Sequence, residues 1–102
     1  MNLDFRIDGD KVRVKLTGDI DEYSARALRA ELDGIIERQR MRALILDMGS
    51  VSFIDSTGLG FVLGRYKKLR EKRAELLLSN VPQQVDKVFR TSGVYSFVPK
   101  ID

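Results

Sequence analysis

Apolar and polar residues alternate from Leu3 to Ile7 and again from Lys11 to Leu16, where Val12, Val14 and Leu16 share one side and Lys11, Arg13 and Lys15 the other. A period of two predicts two half-buried strands. The Asp8-Gly9-Asp10 turn between them predicts an antiparallel hairpin, placed at or near a sheet edge where charges discourage stray pairing. Thr17 to Asp21 ends the second strand, and from there the period lengthens. Ala25, Leu28, Leu32, Ile35 and Ile36 fall on one helical face, with Asp21 or Ser24 available as cap.

Ala43 to Met48 is nearly all apolar, which predicts a central strand covered on both faces. A flexible loop through Gly49, Ser50 and Ser52 is expected next, with Phe53 and Ile54 tucked onto the core. Leu59, Val62, Leu63, Tyr66 and Leu69 predict a second helix, Glu75 to Ser79 another buried strand, and Val81, Val85, Val88 and Phe89 a third helical stripe ended by Thr91-Ser92-Gly93. Val94 to Val98 is expected to be a last strand, stopped by Pro99. The order is β-β-α-β-α-β-α-β: a single α/β domain on a mixed sheet, with an N-terminal hairpin and helices packed mainly on one face.

Composition narrows the chemistry. The 102 residues suit one domain, and they include neither cysteine nor histidine. Disulfides, thiol chemistry and zinc sites built on His or Cys are therefore excluded, along with the usual general base near neutral pH. No apolar run is long enough to cross a membrane, and the N-terminus lacks the apolar core of a secretory signal, so a cytoplasmic location is expected. The net charge of +3 is concentrated between Arg65 and Arg73, where Arg65, Lys67, Lys68, Arg70, Lys72 and Arg73 oppose only Glu71. This run reads as the solvated face of an amphipathic helix, with nucleic-acid binding as the sharper alternative.

The stretch Asp55-Ser56-Thr57-Gly58-Leu59-Gly60 lies where the central strand gives way to the second helix. A hydroxyl pair at a helix start sits among unpaired N–H groups that stabilise a carboxylate or a phosphate. Gly58, Gly60 and Gly64 do not have dinucleotide or phosphate-loop spacing; the latter two read as close-packing positions against the sheet. Ser56 has no histidine and no Ser-x-x-Lys partner to activate it, so it is not a hydrolase nucleophile. Asp19, Asp21, Asp47 and Asp55 each follow or end a strand and read as loop and helix caps rather than a Mg²⁺ cluster. What remains is an exposed serine beside a carboxylate in a domain with no catalytic set, no cofactor and no metal site: the profile of a protein-kinase substrate rather than an enzyme.

Two segments, Leu16-Thr-Gly-Asp-Ile-Asp21 leading into Ser24-Ala-Arg-Ala-Leu28, and Phe53-Ile-Asp-Ser-Thr-Gly-Leu-Gly60 continuing to Lys67, resemble the anti-sigma factor antagonists, which have the STAS fold. Phe89-Arg-Thr-Ser-Gly93 resembles the run before that family's final strand, and the likeness is strongest to its sporulation branch. The resemblance implies a partner switch. The unphosphorylated protein binds an anti-sigma factor that is also a serine kinase, carrying ATP and Mg²⁺, and so releases the sigma factor. Phosphorylation of the serine matching Ser56 ends the interaction, and a PP2C-type phosphatase reverses it. The implied contact surface is Asp21, Asp55, Ser56, Thr57, Gly58 and Leu59, on a protein monomeric when free, with no direct nucleic-acid contact. The family's further C-terminal helix has no counterpart within these residues. A STAS scaffold module in a stress-signalling assembly is the alternative with the same fold.

Overall fold

The computed structural model describes residues 2–102. Strand β1 (Asn2–Asp8) turns at Gly9, whose φ of +64° suits a two-residue hairpin, into β2 (Lys11–Ile20). Helix α1 (Ala25–Arg38), strand β3 (Ala43–Ile54), helix α2 (Ser56–Glu71), strand β4 (Glu75–Ser79) and helix α3 (Gln83–Ser92) follow. One four-stranded sheet has the order β1-β2-β3-β4, antiparallel in its first pair and parallel in the other two. The mixed sheet and its opening hairpin are as the alternation predicts.

Val12, Val14 and Leu16 of β2, Leu44, Leu46 and Met48 of β3, and Leu76 and Leu78 of β4 form the sheet's contribution to a single buried core. Leu28, Leu32, Ile35 and Ile36 of α1, Phe61, Val62 and Leu69 of α2, and Val85 and Phe89 of α3 complete it. All three helices therefore cover the same sheet face, the third included. On the other face no helix among the described residues lies over β3. Ile45 is nonetheless only 7% exposed, because the register seats it between Arg13 of β2 and Leu77 of β4. The aliphatic stem of an arginine shields such a neighbour while its charged end stays in water.

Three expectations are corrected. First, β2 and β3 run well past Leu16 and Met48, and the segment from Gly49 to Ile54 is strand rather than loop. The two extensions pair with each other from Thr17↔Ser50 to Ile20↔Ile54, and two register shifts absorb one extra β3 residue each. Neither extension has a strand-like pattern alone; their mutual hydrogen bonding stabilises both. Within it Ile54 is buried but Phe53 is 51% exposed.

Second, Val94 to Val98 is not a strand. Gly93, at φ +80°, ends α3 in the left-handed conformation, and Val94–Ser96 form one 3₁₀ turn that buries Val94 and Val98. The chain reaches the sheet only from Pro99 onward. The Leu78 N–H donates to the Pro99 carbonyl, Ile101 N–H to Leu78, and Asn80 N–H to Asp102, a short parallel contact along β4. Third, Arg65 is not on the solvated face of α2. It is 5% exposed, its Nε 2.8 Å from Asp33 Oδ1 of α1 and its guanidinium 5.4 Å from the Phe61 ring.

Candidate functional site

The extended pairing of β2 with β3 builds the site. Ile20 and Ile54 are register partners at the carboxyl ends of their strands, and each is followed by an aspartate, Asp21 and Asp55. The two expected halves of the site therefore leave the sheet side by side. The Asp55 N–H donates to the Ile20 carbonyl at 3.3 Å, which ties the start of α2 to the end of β2.

Asp55 is the N-cap of α2. Its backbone is extended, at φ −111° and ψ −170°, and its Oδ1 accepts the Gly58 N–H at 3.0 Å. Ser56 and Thr57 are the first two helical residues, both exposed. Gly58 is buried: a Cβ there would meet Ile54 Cγ1 at 2.5 Å and the Ile20 carbonyl oxygen at 2.6 Å. Gly60 and Gly64, expected to be the close-packing positions, would meet nothing within 4 Å. The tight approach is one residue pair nearer the helix start, where the helix passes over the end of β2. Leu59 is half-buried beside it.

On the β2 side, Asp21 Oδ1 accepts the N–H groups of Tyr23 and Ser24, both at 3.0 Å. The Ser24 N–H is the largest cause holding the Asp21 carboxyl below the usual carboxylate range; partial desolvation opposes it. Ser24 occupies the N-cap position of α1 but makes no side-chain cap, so Asp21 serves this turn. Its hydroxyl instead donates to the Asp19 carbonyl at 2.9 Å. Asp47 is not part of the cluster. It lies on the sheet face away from the helices, where it accepts the Gly49 N–H and the Asn80 amide and stands 4.0 Å from Arg13. Three of the four aspartates thus act as acceptors for nearby N–H groups, and among the described residues no group of carboxylates is placed to hold a metal ion.

Two surface features beside Ser56 were not legible as such. Tyr23, 87% exposed, projects from the Asp21 turn and lines an acidic hollow with Asp19, Asp21 and Glu31. Leu59 of α2 and Val88 of α3 line a shallow apolar groove with Gln84, Lys87 and Thr91. Val88 belongs to the apolar stripe of α3, but only Val85 and Phe89 of that stripe are fully buried, so its outer edge is left for the surface.

The basic run of α2 is largely engaged within the chain. Arg65 and Lys68 pair with Asp33, and Lys68 also with Glu37. The Lys72 ammonium donates to the carbonyls of Ile36 and Glu37 at the end of α1, and the Arg70 guanidinium to the Tyr66 hydroxyl. The contacts of Arg65, Lys68 and Lys72 hold α2 against α1, and together with that of Arg70 they leave fewer free cations than a phosphate-tracking surface uses. No helix among the described residues is long and apolar enough to cross a membrane.

The STAS domain family matches residues 2–102. An anti-sigma F factor antagonist of Paenibacillus polymyxa is 32% identical over 89 residues, 87% of this chain and 76% of that protein. Among solved structures, the anti-sigma factor antagonist SpoIIAA in its unphosphorylated form aligns with a TM-score of 0.82 and 26% identity, covering 99% of this chain and 89% of that one. The Bacillus cell fate determinant SpoIIAA in the phosphorylated form aligns with a TM-score of 0.74 and 25% identity, covering 99% and 92%.

Proposed function

Because this chain belongs to the STAS domain family, we propose that it is an anti-sigma factor antagonist whose unphosphorylated form binds an anti-sigma factor and whose Ser56 is the switch. The observation that carries this is the position of Ser56: exposed, first in α2, next to an N-cap fixed by the Gly58 N–H and by the Ile20 carbonyl. A hydroxyl there is presented on a rigid junction within reach of a partner's active site. The sequence has no histidine, and Gly58, Gly60 and Gly64 lack nucleotide-loop spacing; in this reading the partner brings kinase activity, ATP and Mg²⁺.

The consequence of phosphorylation follows from electrostatics. A phosphoserine carries about −1.5 to −2 charges. At the first turn of α2 the helix N-terminus tolerates that charge, so the domain stays folded. Across an interface the same group lies beside Asp55 and Asp21, in a patch that otherwise presents hydroxyls and Leu59. Burying an unpaired dianion against a partner is costly enough to end tight binding. Asp21, Asp55, Thr57 and Leu59 form the contact surface in this proposal, with Tyr23 and Val88 at its margins; Gly58, expected among them, is buried beneath it against Ile20 and Ile54. A PP2C-type phosphatase restores the binding form, and the exchange takes place in the cytoplasm, with the sigma factor.

Incubation with the cognate anti-sigma kinase and Mg-ATP, followed by intact-mass measurement, tests the site. Wild type and Thr57→Ala are expected to gain one phosphate and Ser56→Ala none. A phosphate on Ser56→Ala, or none on wild type with a kinase active on another antagonist, contradicts the assignment.

A further inference from the structure

We propose that the free edge of β1 is a self-association surface, on which a second copy of this chain pairs antiparallel about a two-fold axis at Phe5. β1 is the outer strand of the sheet, paired only with β2. The two-residue turn at Gly9-Asp10 makes Asp8 and Lys11 a hydrogen-bonded pair. By alternation Asp4 and Arg6 also direct their main-chain groups at β2, while Leu3, Phe5 and Ile7 direct theirs outward. With Phe5 on the axis, Phe5 exchanges both main-chain hydrogen bonds with Phe5 of the second copy, and Leu3 exchanges both with Ile7.

Side chains complement one another in the same register. Leu3, Phe5 and Ile7 are register partners of Leu16, Val14 and Val12, and so lie on the core face of the sheet. There Leu3 packs partly against the core, but Phe5 and Ile7 are left 46% and 52% exposed. The second copy covers this strip by setting Phe5 against Phe5 and Leu3 against Ile7. On the other face Arg6 falls opposite Asp4 of the second copy, and Asp4 opposite its Arg6. Within the chain Arg6 has the opposite situation. Its cross-strand neighbour is Arg13, which itself turns to Asp47 and Ser79, and no carboxylate among the described residues lies within salt-bridge distance of Arg6. Like charges directly opposite destabilise a sheet, and opposite charges stabilise it. The second copy supplies the anion that Arg6 lacks.

The arrangement is isologous and therefore closes as a dimer. It buries one short strand edge, less than a standard interface, so the association is weak and concentration-dependent. It departs from the monomer expected for the free protein. The two Ser56 junctions point to opposite ends of the continuous eight-strand sheet, so both stay open to partners.

Sedimentation velocity of the unphosphorylated chain from micromolar to millimolar concentration tests the surface. Wild type is expected to shift from monomer to dimer. Arg6→Asp and Asp4→Arg alone each place like charges across the axis and are expected to weaken the dimer by about tenfold or more. An equimolar mixture of those two variants, or the double exchange Asp4→Arg with Arg6→Asp in one chain, restores opposite charges and is expected to recover it. Both positions, Asp4 and Arg6, are exposed, and circular dichroism checks that each variant is folded. Wild type monomeric throughout, or a dimer indifferent to both single variants, or no recovery on mixing, overturns the proposal.

Discussion

A Cβ on Gly58 would lie 2.6 Å from the carbonyl oxygen of Ile20, closer than a real Cβ approaches any backbone atom. The first turn of α2 thus rests directly on the end of β2, and that contact sets the position of Ser56. Gly58→Ala must move the helix or the strand, at a cost of about 1–3 kcal/mol. Gly60→Ala meets open space in a helix and is expected to raise stability by roughly 0.5–1 kcal/mol. Urea unfolding of the two variants separates close packing at the junction from general helix propensity.

The cap at Asp55 can be isolated in the same way. Asp55→Ala removes the acceptor for the Gly58 N–H and is expected to cost about 0.5–2 kcal/mol, whereas Asp55→Asn keeps an acceptor and loses little. Thermal melts report the difference. If Asn and Ala are equivalent, the cap does not hold this junction.

The buried ion pair between α1 and α2 makes an asymmetric prediction. Asp33→Ala leaves the Arg65 guanidinium enclosed without its anion and is expected to cost about 3 kcal/mol. Arg65→Met removes the charge while keeping apolar contact with Phe61, and Asp33 retains Lys68 at 3.4 Å. Its cost is expected to be about 1 kcal/mol or less. Equal losses in denaturant unfolding would contradict this account of the pair.

Asp86 and Tyr95 give stability a pH dependence. The Tyr95 hydroxyl donates to Asp86 Oδ1 at 2.5 Å, and Lys100 reaches the same oxygen at 2.9 Å. The Tyr95 hydrogen bond, then that of Lys100, holds the Asp86 carboxyl below its ordinary 3.8; this stabilisation is present above that pH and is lost as the pH falls below it. Burial, then Asp86, pushes the Tyr95 phenol well above its ordinary 10.0; its contribution is complete below pH 10 and declines as the pH rises further. Tyr95→Phe is expected to flatten the alkaline side of a melting-temperature profile and to soften part of the acid side. An unchanged profile would show that the contact carries no proton linkage.

Much of this is legible in the sequence. The period-two alternation of Lys11–Leu16 determines which face of β2 is buried, whereas the same alternation in Leu3–Ile7 leaves Phe5 and Ile7 about half exposed; Asp-Ser-Thr-Gly marks the start of α2 because an N-cap carboxylate is a local requirement. The rest depends on partners distant in sequence. Gly49 to Phe53 has the composition of a loop and becomes strand only because β2 continues beside it. Val94 to Val98 has the composition of a strand, but Gly93 diverts it into a 3₁₀ turn, and the residues beyond Pro99 reach β4 instead. Arg65 belongs to a basic run by sequence and to the interior by virtue of Asp33 on another helix. Gly58, not Gly60, meets the sheet because the β2 extension ends beneath it.

The most direct test of the switch is the affinity of the anti-sigma factor for this protein prepared in its two states, unmodified and fully phosphorylated on Ser56, measured by calorimetric titration under one buffer. The unmodified form is expected to bind tightly, and the phosphorylated form, folded by circular dichroism, to lose affinity by about a hundredfold or more. Equal affinity of the two folded forms would contradict the central claim.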